Sequence, residues 1–358
     1  MIAEFGWSDA LRTAIAPLAA QGCIPARVTA QHRGLWRLMT DGGELNGRLT
    51  GRFSSAAAPG EHPVVGDWLA VTLEGSPPEA HIHALLPRRT AFARRAAGDR
   101  GGAQMVAANV DVAFLVAALN ADLNLRRLER YLVATRDSGA EPVIVLTKSD
   151  LLEDPDAAAA EVVAIAGGAA VVALSAKTGV GLEALSAWLK PGVTVALLGS
   201  SGAGKSTLLN ALAGTALMDT GDIRESDARG RHTTTHRELF RLPGGALLVD
   251  TPGMRELGLL AVDDALDASF DDVTALLGMC RFSNCTHGAE PGCAIQGAIE
   301  NESLSADRWQ SYLKLQRELA FAARKDDVGL EATERAKWKQ IHKGQRAKYK
   351  HRLRNQEE

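Results

Sequence analysis

The sequence predicts an α/β protein in three units: a small antiparallel barrel, a parallel sheet covered by helices on both faces, and a helical end unit. Three observations predict it. Short alternating stretches separated by Gly, Pro and Asp turns run from Arg27 to about Leu86, which suits a barrel. Near-continuous apolar runs then alternate with helical segments as far as Gly253, the pattern of strands buried on two faces. Beyond about Val262 the strand pattern stops and helical spacing takes over.

In chain order, residues 1–22 read as an amphipathic helical appendage, with Leu11, Ile15 and Leu18 on one face. Residues 23–100 hold the barrel strands "ARVTA", "LWRLM", "GRLTGRF", "GDWLAVTL" and "HIHALL", followed by an Arg- and Gly-rich connector at 88–104 suited to a phosphate backbone. Residues 101–262 hold the apolar strands "VDVAFLVAAL", "PVIVLTK", "AAVVALSA", "VTVALLGS" and "ALLVDTPG". Between the first two, Leu125, Leu128, Leu132 and Thr135 share one helix face, and Gly139 supplies the left-handed stop. Residues 263–358 are the helical end unit with a basic tail.

Charge is unevenly placed. The formal net charge is −3 over 358 residues, yet residues 23–100 carry ten Arg against seven acids and residues 335–354 carry nine Lys or Arg with no acid. A basic front and tail suit a polyanion touched at two places. No apolar run is long enough to span a bilayer, and Glu4, Asp9 and Arg12 break the stretch an export signal needs, so a cytoplasmic protein without membrane contact is expected.

"GSSGAGKST" provides Gly199, Ser200, Ser201, Gly202, Ala203, Gly204, Lys205, Ser206 and Thr207, the phosphate cradle G-x-x-x-x-G-K-[ST], after an apolar strand and before a helix. Its glycines let backbone N–H groups face phosphates, Lys205 meets the terminal phosphates and Ser206 ligates Mg²⁺. "TKSD" (Thr147, Lys148, Ser149, Asp150) reads the base: Asp150 accepts from the guanine N1–H and amine, a donor pair adenine lacks, and the Lys148 stem covers the ring. Ser175, Ala176 and Lys177 follow at the next strand end, where an amide meets the guanine oxygen. "DTPG" places Asp250 on Mg²⁺ and the Gly253 amide at the γ-phosphate. Thr233, Thr234 and Thr235 are candidates for the threonine that closes on the metal; Thr234, the middle one, stands with Ser206 and Asp250 in the Mg²⁺ set, although spacing does not choose among the three.

The parts of a GTP site are thus present in rotated order: base readers, cradle, switches. Rejoining the ends of a compact domain and opening it elsewhere preserves the sheet. The rotation sets "DTPG" just ahead of the end unit, so γ-phosphate-driven movement at Gly253 would pull on that unit. There Cys280, Cys285, His287 and Cys293 form a closed set of three thiolates and an imidazole, the donors of one structural zinc. A P-loop ATPase or kinase conflicts with Asp150, and an RNA-binding protein that holds nucleotide only as a structural ligand does not need Lys205, Ser206 and Asp250 together.

"VVGDWLAV", "QMVAANVDVAFLV", "GSSGAGKSTLLN", "RHTTT", "LLVDTPGMRELGL" and "CRFSNCTHGAEPGCAI" resemble, in order, the signatures of the circularly permuted, small-subunit-dependent GTPases of the RsgA (YjeQ/EngC) family, over nearly the whole chain. The resemblance implies an N-terminal OB-type β-barrel, a circularly permuted P-loop GTPase domain and a C-terminal helical zinc-binding domain. It also implies GTP hydrolysis stimulated by the small ribosomal subunit, contact with rRNA near the decoding region during late maturation, and help in releasing a maturation factor. Thr147 departs from the family pattern, which has Asn there to fix the base and tie the loop to the cradle. Met254 stands where Ras-like enzymes keep a water-orienting Gln, so His232 is the candidate for that role, the alternative being a surface histidine. On the barrel, Arg33, Arg37, Arg48 and Arg52 are expected to meet phosphates while Trp36 or Phe53 stacks on a base, and Trp68 is expected in the core. A monomer is expected.

Overall fold

A computed structural model describes residues 1–32, 34–57, 60–95, 103–120, 123–215, 237–250, 263–288 and 290–321. Helix α1 (Asp9–Ala19) starts where the Ser8 hydroxyl accepts from the Leu11 amide, and it buries Leu11 and Ile15 against the barrel. The segment expected as an appendage is stitched down at several points. The Met1 amino group lies 3.1 Å from Asp41, Glu4 pairs with Arg241, and the Trp7 and Trp68 rings sit 4.8 Å apart.

Strands β1 (Ile24–His32), β2 (Leu35–Thr40) and β3 (Gly43–Leu49), helix α2 (Gly51–Ala56), then β4 (Trp68–Glu74) and β5 (Glu79–Leu85) build the barrel. β1 pairs with β2 and β4, β2 with β3, β3 with β5 in parallel and β5 with β4, so the five strands close. Val28, Leu38, Trp68, Val71 and Ile82 are buried within it, Trp68 as expected. Alternation along β2 buries Trp36 and Leu38 together and leaves Arg37 outside.

The expected connector contains a hairpin: β6 (Ala91–Arg95) pairs antiparallel with β7 (Ala103–Ala108). The apolar alternation of "AFARR" and "AQMVAA" overrides the loop-like Arg and Gly content around it.

β8 (Val112–Ala118), α3 (Leu125–Asp137), β9 (Glu141–Thr147), α4 (Pro155–Ile165), β10 (Ala170–Ala173), β11 (Thr194–Leu198), α5 (Lys205–Ala213), β12 (Arg237–Arg241) and β13 (Leu247–Asp250) follow. The order β10-β9-β8-β11-β13 is parallel, which is the predicted sheet. α3 behaves as its sequence predicts: Asn124 caps it through the Arg127 amide, Leu128, Leu132 and Thr135 are buried, and Gly139 takes φ +84°.

β12 was not anticipated. It runs antiparallel to β13 and pairs on its other side with Ala30 and Gln31 of β1, making barrel and parallel sheet one eleven-stranded sheet. The buried Arg27 reinforces the joint. Its guanidinium donates to the Phe5 carbonyl, to Gly66 O at 3.3 Å, to Asn109 O at 3.2 Å and to Thr194 Oγ1 at 2.8 Å. Burial pulls its pKa down to about 10.

The end unit consists of α6 (Asp263–Ser269), α7 (Asp271–Thr274), α8 (Ala294–Glu300) and α9 (306–321). α9 lies along α3, with Arg126 to Asp307 at 2.6 Å and Arg130 to Glu318 at 3.0 Å. The basic tail at 335–354 falls outside the described residues.

Candidate nucleotide and metal sites

β11 ends at Leu198 and α5 begins at Lys205, so residues 199–204 turn the chain from strand to helix. Gly199 has φ +156°, and a Cβ there would lie 2.3 Å from the Val116 carbonyl oxygen. Only glycine fits so close to β8. The Lys205 ammonium folds back over the turn, donating to Gly199 O at 2.9 Å and to Ser200 O at 2.5 Å. Ser206, next along in the first turn of α5, is exposed beside the cradle, where its hydroxyl suits a Mg²⁺ carried by phosphates.

The loop expected to read the base leaves the neighbouring strand ends. β9 closes at Thr147, Lys148 turns at φ +61°, and Ser149–Leu151 form one 3₁₀ turn with Asp150 exposed. The Ser149 amide donates to Leu174 O at 3.2 Å, which ties this loop to the one holding Ser175, Ala176 and Lys177. Ser175 is buried, its hydroxyl accepting from the Thr178 amide at 3.2 Å. The structure therefore brings these residues and the cradle to the carboxyl ends of β10, β9, β8 and β11, four strands side by side. A hydrogen bond joins the two halves directly: Thr147 Oγ1 donates to Ala203 O at 2.7 Å.

Asp250 is the last residue of β13, which pairs with the cradle strand at Ala196↔Val249. His232, Thr233, Thr234, Thr235, Gly253 and Met254 lie outside the described residues.

The barrel face fits its expected role less well. Trp36 is 5% exposed and its indole N–H donates to Pro63 O at 2.9 Å, so it is a core residue and is not presented for stacking on a base. Phe53 is half-buried on α2. Arg37 pairs with Glu44 at 3.3 Å and Glu238 at 3.0 Å, and Arg48 with Glu79 at 2.6 Å, so part of the expected positive charge is met within the protein. Arg52 is exposed, and Arg33 lies outside the described residues.

The ligand atoms of Cys280, Cys285, His287 and Cys293 all lie within 4.8 Å of one another. His287 reaches φ +61° to turn its ring inward, with Nδ1 at 3.4 Å from Cys280 Sγ and 3.7 Å from Cys293 Sγ. The Ala294 amide donates to Cys280 Sγ at 3.4 Å and holds that thiol below its ordinary range. Glu290 braces the loop, accepting from the Thr286 amide at 2.9 Å, the Gly288 amide at 2.8 Å and the Thr286 hydroxyl. Trp309 of α9 packs edge-on to the His287 ring at 5.6 Å. Three thiols and an imidazole at this spacing fit a tetrahedral metal, and zinc suits the donor set. Sequence reasoning picked out the four clustered residues but missed Glu290, whose offset of four residues from Thr286 is the one signal available.

A family model described as RsgA GTPase matches residues 85–260. The small ribosomal subunit biogenesis GTPase RsgA of Opitutus terrae is 50% identical over 357 residues, covering 97% of each chain. Its namesake in Methanosarcina acetivorans is 40% identical over 94% of this chain and 90% of its own. Among solved structures, YjeQ from Thermotoga maritima superposes with a TM-score of 0.61 at 26% identity, over 83% of this chain and 99% of that one. YloQ, described as a circularly permuted GTPase, gives a TM-score of 0.58 at 24% identity over 83% and 95% of the two chains, a likeness of fold.

Proposed function

The chain belongs to the RsgA GTPase family and is a GTP hydrolase, and on that premise we propose that it acts in late maturation of the small ribosomal subunit. In this reading it binds the subunit's rRNA, hydrolyses GTP faster there, and uses the nucleotide state to move its end unit and help release a maturation factor. The names of its relatives support the subunit as partner. The reading divides the chain into an N-terminal helix (1–22), an RNA-binding barrel with its linker (23–100), the permuted GTPase (101–262) and the zinc-binding helical unit with its basic tail (263–358).

The observation that supports this nucleotide-site reading is the Thr147 to Ala203 bond, which ties the end of β9 to the 199–204 turn despite their inverted order. Asp150 accepts from the guanine N1–H and amine, Lys148 covers the ring, and a backbone amide at 175–177 meets the oxygen. The 199–204 amides and Lys205 hold the phosphates. Mg²⁺, when bound, neutralises developing charge on the phosphates; Ser206, Asp250 and Thr234 would hold it. The Gly253 amide senses the γ-phosphate, and His232 orients the attacking water. Exposed Arg52 and the tail beyond about Lys325 supply phosphate contacts.

Turnover of GTP and ATP, with and without small subunits, tests this. GTP-selective turnover that rises with subunits is expected. Equal use of ATP, or indifference to subunits, overturns it. Loss of stimulation in His232→Ala with GTP binding intact is expected for the water-orienting role.

A further inference from the structure

We propose that Thr147 locks the phosphate cradle to the base-reading loop through its hydroxyl and, in doing so, offers the N7 edge of the guanine no donor. The inference rests on the nucleotide-site reading above and sharpens its specificity.

Thr147 is 1% exposed at the end of β9. Its Oγ1 lies 2.7 Å from Ala203 O and 3.3 Å from Ala117 O, both acceptors. A hydroxyl has one proton to give, and the shorter contact takes it. The cradle also closes on this side chain sterically: Gly204 has φ +87°, and a Cβ there would stand 3.0 Å from Thr147 Oγ1. Ala203, the fourth position after Gly199, is therefore held by a bond to this one residue, and Gly204, the fifth, has no room beside it for a side chain.

An amide side chain in this place carries two N–H donors, so one can hold the cradle while the other meets the base. Thr147 can do only the first. On its major-groove edge guanine presents N7 and O6 as acceptors. With O6 assigned to the 175–177 loop and the N1–H and amine to Asp150, N7 receives nothing from Thr147. The tie to the cradle is thus kept and one element of base reading is dropped.

The test is titration of the full chain with GTP, GDP and 7-deaza-GTP, which lacks the N7 acceptor, using wild type and the variants Thr147→Ser, Thr147→Val and Thr147→Asn, with melting temperatures alongside. Wild type should bind GTP and 7-deaza-GTP within about twofold of each other. Thr147→Ser should keep GTP affinity. Thr147→Val, matched in shape but without the hydroxyl, should lose about tenfold for GTP and GDP alike. Thr147→Asn should gain a preference for GTP over the deaza analogue of about fivefold. Wild-type affinity in Thr147→Val, or no gained preference in Thr147→Asn, overturns the proposal. The wild-type comparison needs no variant to fold, and a marked wild-type preference for GTP overturns the proposal by itself. Asp150→Asn separates the two levels of argument. It should trade GTP for xanthosine triphosphate; if it leaves GTP binding unchanged, the site reading itself fails, whereas the expected trade with an unaffected Thr147→Val sinks only the role given to Thr147.

Discussion

Arg308 of α9 and Glu129 of α3 meet at 2.7 Å across the boundary between the end unit and the GTPase sheet, their side chains only 5% and 3% exposed. The remaining Arg308 donors reach Asp272 at 2.9 and 3.0 Å and Ser269 O at 2.8 Å, while the Ser311 hydroxyl donates to the other Glu129 oxygen. Arg308→Met strands a buried carboxylate and should cost about 3–5 kcal/mol in chemical denaturation. Adding Glu129→Leu should recover part of that loss. A double variant as unstable as the sum of the singles would show that the two groups act separately.

The Gly199 turn should tolerate no side chain. Gly199→Ala forces a methyl against the Val116 carbonyl and should weaken GTP binding by more than about tenfold. Gly51→Ala, with nothing within 4 Å, is the matched control and should bind as wild type. Titration with a fluorescent guanine nucleotide distinguishes the two.

Metal removal should act locally. A thiol-reactive mercurial should release one zinc per chain and loosen the packing of Trp309 on His287, since metal affinity of such a loop is folding energy. Guanine nucleotide binding, which we place at the strand ends of the parallel sheet, should persist. Zinc assay and nucleotide titration of the same sample check both halves.

Glu290 predicts a pH dependence of fixed sign. The hydroxyl and amide of Thr286 come first in pulling its pKa to about 2, against an ordinary 4.5. Its folded value is the lower one, so its bracing of the loop is complete above about 4.5 and is lost as pH falls toward about 2. The stability advantage of wild type over Glu290→Gln, followed by thermal unfolding, should disappear in that window. An advantage unchanged down to pH 2 would contradict it.

Much of this was legible in the sequence because local chemistry forces it. Gly199 through Ser206 match a phosphate-wrapping pattern set between strand and helix, the Cys280 to Cys293 cluster is too dense in soft ligands for chance, and the apolar runs at β8, β9 and β11 need cover on both faces. The β2 alternation already set Trp36 on the same side as Leu38, yet choosing which side closes inward requires the whole barrel. β12 escaped because "RELFR" is short and charged, its strand character coming from partners on either side. The Thr147 to Ala203 bond escaped because it links positions 56 residues apart. No local pattern encodes such a pairing.

The shared edge at β12 sets a rule for taking the molecule apart. A barrel expressed alone would lose Glu238 and Arg237 from beside Ala30 and Gln31, leaving raw backbone donors and acceptors where β1 now finds partners. Such a fragment is prone to stick to its own copies. Anyone dissecting the barrel would do better to graft a short mimic of that strand onto it than to cut at the linker.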